Sequence, residues 1–178
     1  MIHVPHHVQT QSTECGLGSM GMILAHHGKH VTMADLRRVS GVSRDCVDAA
    51  DLVRIARHYG LLPRVLKREP DALPALGFPL VIYTDFIHFT VVVDMTAEYV
   101  WLADPGLGRY RMPREEFDES YTGIALTFTK GPEFEPGGRH VPLTQRFWRQ
   151  IAFHPALRTG AAVLAGAAAL AVPGLAAI

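Results

Sequence analysis

The chain of 178 residues holds only two cysteines, Cys15 and Cys46, which stand 31 positions apart. Two thiols so placed make no disulfide framework, and a reducing, cytosolic side fits best. No charge of either sign dominates, since Lys plus Arg and Asp plus Glu are both 17. That balance points away from nucleic acid and other polyanions as partners. No G-x-x-x-x-G-K-[ST] loop is present, so ATP hydrolysis is not expected of this chain. The opening "MIHVPHHVQT" lacks the apolar stretch of a secretory signal, and no internal repeat is found.

What is there is an apolar content of 48%, enough for one domain, or one domain plus a tail. From Pro136 onward the chain carries Arg139, Arg146, Arg149 and Arg158 and no acid. Its final stretch, "TGAAVLAGAAALAVPGLAAI", is uncharged. As a helix that stretch would reach about 30 Å, roughly the hydrocarbon thickness of a bilayer. With arginines before it on the cytoplasmic side, it reads as the start of a first membrane span. The segment 131–142, "GPEFEPGGRHVP", reads as a linker. The organisation expected is therefore a domain over 1–130, a linker over 131–142, and an amphipathic to apolar segment over 143–178 that begins a membrane part.

Within the first 130 residues the patterning changes once. Residues 15–27 read as a helix with Leu17, Met20, Ile23 and Leu24 on one face, Gly28 as its stop and Ser12 or Thr13 as its cap. Gly16, Gly18 and Gly21 weaken that helix and imply close backbone packing nearby. A capping-box pattern at Thr32 and Asp35 opens a second helix ending near Gly41. A third runs from about Asp48 to Tyr59. Then come "LLPRVLK", "PLVIYT", "HFTVVVD", "EYVWLAD", "RYRM" and "GIALTF", short runs separated by turn residues, with a short helix in "PREEFDESY". Helices followed by antiparallel strands make an α+β fold.

Three polar residues stand out against this pattern. Cys15 lies at a helix start, where the macrodipole and free N–H groups favour thiolate. If Asp94 pairs with Glu98 across the loop Met95–Ala97, His88 lies opposite Asp104, close enough for the carboxylate to hold the imidazole. A one-residue slip would part them. Together these groups can make a thiolate, its base and an orienting acid, with an upstream amide, Gln9 or Gln11, as oxyanion donor. On residue types alone Cys15 reads equally as a buried core thiol, whereas Asp104 reads rather as a turn residue and His88 as an ordinary strand-end histidine. Cys46 reads as structural. His3, His6 and His7 lack the cysteine or carboxylate spacing of a metal site, and no cofactor is expected. Arg37, Arg38, Arg54 and Arg57 read as solvated helix faces. Tyr99 and Trp101 read as packing residues.

"QTQSTECGLGSMGMILAHHG", followed by "HFTVVV" and "LADPGLG", resembles the double-glycine leader peptidase domain of peptidase-containing bacteriocin ABC transporters. The likeness covers roughly residues 5–130. It implies a papain-like cysteine peptidase fold that cuts after a Gly-Gly or Gly-Ala pair ending a leader peptide, at the cytoplasmic face of the bacterial cell membrane. By this resemblance Cys15 is the nucleophile, His88 the general base and Asp104 its orienter. Gln9 is the oxyanion donor, because the family's glutamine stands six positions before the cysteine, as Gln9 does here. The partners implied are a precursor peptide with such a leader and the membrane and ATPase domains of a transporter. A groove that binds a leader without cutting it is the alternative; the presence of Cys15 disfavours it. A papain-like acyl transferase would share the same three residues.

Overall fold

Every residue of the first helix from Cys15 to Leu24 is buried. In this helix, α1 (Cys15–His26), burial reaches beyond the face of Leu17, Met20, Ile23 and Leu24 to every side, as its composition of Gly, Ser, Met, Leu and Ile permits. Its start also departs from expectation. A 3-10 turn over Ser12–Glu14 leads into it, and Glu14 takes the N-cap position with no side-chain cap. The computed structural model describes residues 2–5, 12–41 and 47–138, all within the unit Met1–Arg139. Gln9, Gln11, Cys46, His6, His7 and the segment 143–178 lie outside the described residues. Among the described residues no helix is long and apolar enough to cross a membrane.

Helix α2 (Met33–Ser40) opens with the expected capping box: Asp35 N–H donates to Thr32 Oγ1 at 3.1 Å, and Thr32 N–H donates to the Asp35 carboxylate at 3.2 Å. It closes on Gly41 at φ +67°, a left-handed position that favours glycine. Helix α3 (Ala49–His58) has a second box built from Asp48 and Asp51.

Six strands follow: β1 (Leu61–Lys67), β2 (Leu80–Thr84), β3 (His88–Met95), β4 (Tyr99–Asp104), β5 (Gly108–Pro113) and β6 (Tyr121–Lys130), with α4 (Arg114–Ser120) before the last. They form one antiparallel sheet in the order β1-β6-β2-β3-β4-β5. The expected α+β architecture is thus present, with helices α1 to α3 packed on a six-stranded sheet.

Both faces of the sheet are covered, and the period-two alternation of each strand decides which side chain goes where. Val81, Val91, Ala103 and Leu126 join the core beneath the three helices. Leu80, Ile82, Val92, Leu102 and Ala125 join a second core with Phe117 of α4 and Leu73. Trp101 packs at the edge of the first core, and Arg111 lies over the Tyr99 ring at 4.6 Å. Residues 131–138, read from composition as the start of a linker, lie against this body. Phe134 is buried in the first core, and His30 N–H donates to Gly137 C=O at 2.7 Å.

Candidate active site

The chemistry-bearing residues meet at one end of the sheet. Cys15 is the first residue of α1, His88 the first of β3 and Asp104 the last of β4. The β3–β4 register differs from the one expected. Val91 pairs with Ala103, Val92 with Leu102, and after a bulge Asp94 pairs with Trp101 and Met95 with Val100. Continuing that register puts Asp104 level with Thr90, two residues from His88. The cause is a wider hairpin, closed by Thr96 N–H donating to Tyr99 C=O at 2.8 Å, together with the bulge. A shift of two keeps the parity of the strand, so both residues still serve one face as diagonal neighbours. His88 Nε2 and Asp104 Oδ2 are 2.5 Å apart.

The second carboxylate oxygen of Asp104 accepts the N–H groups of Gly106 and Leu107, each at 2.8 Å. The turn-residue and the orienting readings are therefore both true of this one side chain. Asp104 is 1% exposed. Burial pushes its carboxyl up, but the His88 ring and the two amides outweigh that and hold it below its ordinary value.

With Nε2 engaged by Asp104, Nδ1 of His88 is the nitrogen left for the thiol. The Cys15 thiol is pushed up by burial, yet its hydrogen bonds with the His88 side chain and the Phe89 backbone, the His88 charge and the Gly16 amide bring it below the usual thiol value. His88 is raised to about 10, first by Asp104 and then by Cys15, against the opposing effect of burial. Thiolate and imidazolium thus stabilise one another. Cys15 is 2% exposed and the His88 side chain 32%, so the pair is open to solvent on the ring's side.

Gly16 explains how the helix comes so near. A Cβ there would stand 2.2 Å from Val47 Cγ2 and 3.4 Å from the Phe89 ring. One residue before Cys15, Glu14 is buried and its carboxylate meets Arg37 Nε of α2 at 2.5 Å. Arg37, read from sequence as part of a solvated helix face, keeps 41% of its side chain exposed and also ties α2 to the start of α1. Arg38 pairs with Asp35 and Arg54 with Asp51 on their own helices. His26 Nδ1 stands 3.2 Å from the His3 carbonyl. Among the described residues no cluster of His, Cys, Asp and Glu suits a metal ion.

Two features of the site escaped sequence reasoning. Ser19 Oγ donates to Phe89 C=O at 3.1 Å while wholly buried; a lone serine in an apolar helix, four residues after the cysteine, was its only signal. The Glu14–Arg37 pair spans 23 positions and left no local signal at all.

Residues 3–133 match the family described as peptidase C39. The chain belongs to the peptidase C39 family, a family of cysteine peptidases. It is similar to the probable microcin-H47 secretion/processing ATP-binding protein MchF of Escherichia coli, 39% identical over 74% of this chain and 19% of that protein. The colicin V secretion/processing ATP-binding protein CvaB of Escherichia coli is 36% identical over the same shares. This C39 chain therefore spans about a fifth of the length of these curated relatives, 19% in each. Among solved structures it resembles a double glycine motif protease from an AMS/PCAT transporter in complex with the leader peptide. That likeness has a TM-score of 0.69 and 38% identity over 72% of this chain and 93% of the other. The peptidase domain of Streptococcus ComA shares the fold, with a TM-score of 0.67 at 22% identity over 72% of this chain and 99% of that one.

Proposed function

We propose that this C39 peptidase cuts the leader from a bacteriocin-type or other secreted peptide precursor after a Gly-Gly or Gly-Ala pair, and that it works with an ABC exporter. Cys15 is the nucleophile, His88 the general acid–base, Asp104 the residue that orients His88, and Gln9 a side-chain oxyanion donor. The observation that carries this reading is the Cys15–His88–Asp104 array, in which the Cys15 thiol is held low and His88 high.

In the first step the Cys15 thiolate attacks the scissile carbonyl. The developing oxyanion is held by the Gln9 amide and the N–H at the start of α1. Asp104 keeps the His88 ring turned so that Nδ1 delivers its proton to the leaving amine. A water then gives its proton back to His88 and its oxygen to the acyl group, which frees the thiolate. Glycine on the acyl side suits a sulfur that is almost wholly enclosed, because a substrate without side chains can come close to it.

The partners that fit are a precursor with a double-glycine leader and the membrane and ATPase parts of a transporter. We place the peptidase at the cytoplasmic face of the bacterial cell membrane. Its expected layout is a peptidase domain over 1–130, a connection over 131–142 and a membrane-entering segment over 143–178. The identities of MchF and CvaB as secretion/processing ATP-binding proteins support that setting. The test is incubation with Gly-Gly leader precursors and measurement of fragment masses: cleavage after the second glycine supports the reading, and intact precursor at every concentration overturns it. A precursor bound but uncut would instead mark a leader-binding module.

A further inference from the structure

We propose that Ser19 is a positioning residue for the nucleophile: it fixes the backbone of Phe89 so that the Phe89 N–H stays on the Cys15 sulfur. In an antiparallel strand both backbone groups of one residue face the same neighbour, and successive residues alternate. Thr84 C=O accepts Ile87 N–H at the β2–β3 turn, whereas Tyr83 C=O accepts the Thr122 hydroxyl on the β6 side. Phe89, the partner of Tyr83, therefore turns its N–H and C=O away from β2, toward β4. There the ladder begins only at Val91↔Ala103. Helix α1 occupies the gap that β4 leaves. Ser19 takes the Phe89 C=O at 3.1 Å, and the Phe89 backbone, whose N–H lies on that same side, is among the groups that hold the Cys15 thiol low. Cys15 and Ser19 are one helical turn apart and share a face. Gly16 between them lets the helix sit this close, since a Cβ at that position would stand 2.2 Å from Val47 Cγ2 and already be in contact with the Phe89 ring at 3.4 Å.

Two side chains of one helix thus grip both polar groups of a single strand residue next to His88. Without the Ser19 hydroxyl, the Phe89 carbonyl loses its buried partner and its neighbouring amide loses its fixed aim. The proposal deepens the reading of Cys15 as nucleophile, and its test needs no substrate.

The experiment uses the full 178-residue chain and follows iodoacetamide alkylation of Cys15 against pH, with the modified peptide resolved by mass from that of Cys46. Ser19→Ala should raise the alkylation midpoint by about one pH unit, and Ser19→Thr, which keeps the hydroxyl, should hold the wild-type midpoint. An unmoved midpoint in a folded Ser19→Ala protein overturns the proposal, and so does an equal shift in both variants. Should Ser19→Ala not fold, the wild-type chain labelled with nitrogen-15 decides: the Phe89 amide resonance should move as the Cys15–His88 pair titrates, and a stationary resonance overturns the proposal. A shifted midpoint in a protein that cuts no Gly-Gly precursor would strike the proposed function and leave the role of Ser19 standing.

Discussion

Asp104 divides its carboxylate between two tasks: Oδ2 meets His88 Nε2 at 2.5 Å, while Oδ1 is pinned by the amides of Gly106 and Leu107 at 2.8 Å. The turn after β4 therefore sets the orientation of the His88 ring. Asp104→Asn keeps the side-chain shape and removes the charge that raises His88. Its kcat should fall by about 100-fold or more, the range of a misdirected general acid–base. The alkaline limb of the kcat profile should also move down from near pH 10, because the imidazolium is then lost at lower pH. An unchanged alkaline limb would detach Asp104 from the chemistry.

The same pair makes folding stability depend on pH with a definite sign. His88 has its folded value raised from 6.5 to about 10, so its contribution is fully present below 6.5 and fades as pH rises toward 10. Asp104 has its folded value lowered from 3.8, so its contribution is present above 3.8 and is lost as pH falls through the lowered value. Asp104→Asn should thus cost most stability between about pH 4 and 6.5 and little above about 10. Urea midpoints of both proteins across that range would show it.

Cys15→Ala should abolish cleavage of a Gly-Gly precursor and leave its binding intact, as measured by fragment masses and by titration of a labelled leader. Cleavage at the wild-type rate would end the peptidase mechanism. Gln9→Ala, if Gln9 supplies one oxyanion donor, should lower kcat on the order of 100-fold with little change in KM.

Gly16→Ala gains about 1 kcal/mol of helix propensity but puts a methyl 2.2 Å from Val47 Cγ2. Overpacking of that kind typically costs about 1–3 kcal/mol. A lower Tm with an even larger loss of kcat is expected, since relief of the Val47 clash shifts the start of α1 and with it the sulfur. Calorimetry alongside a peptide assay measures both.

Arg37→Met leaves the buried Glu14 carboxylate without that guanidinium and should lower Tm. The double change Glu14→Gln with Arg37→Met should recover part of the loss, because it removes the buried charge together with its partner. A double variant no more stable than Arg37→Met would show that packing of the Arg37 stem matters more than its charge.

Much of this molecule was readable in its sequence, for local reasons. Thr32 and Asp35 announced α2, Gly28 and Gly41 the ends of two helices, and alternating β-branched residues the strands. The pairing of His88 with Asp104 was legible through strand parity alone. Its register was not, because the bulge after Val92 and the hairpin closed by Thr96 and Tyr99 depend on tertiary packing. The enclosure of α1 could not be inferred from a helix whose own pattern suggested one buried stripe. Nor could the reach of Arg37 to Glu14, which depends on how α2 lies against α1. The motif spacing around Cys15, His88 and Asp104, taken together, identified the family before any coordinate did.

The proposed nucleophile sits on a helix whose first ten residues are all buried, and that bears on how its substrate preference could change. No residue of α1 from Cys15 to Leu24 is free to vary toward a new substrate without disturbing the interior. Adaptation to a different precursor must fall to the turns that rim the sheet end, where Phe86, Ile87 and Leu107 stand open to solvent. Libraries aimed at altered cleavage preference belong on those turns, with the helix left untouched.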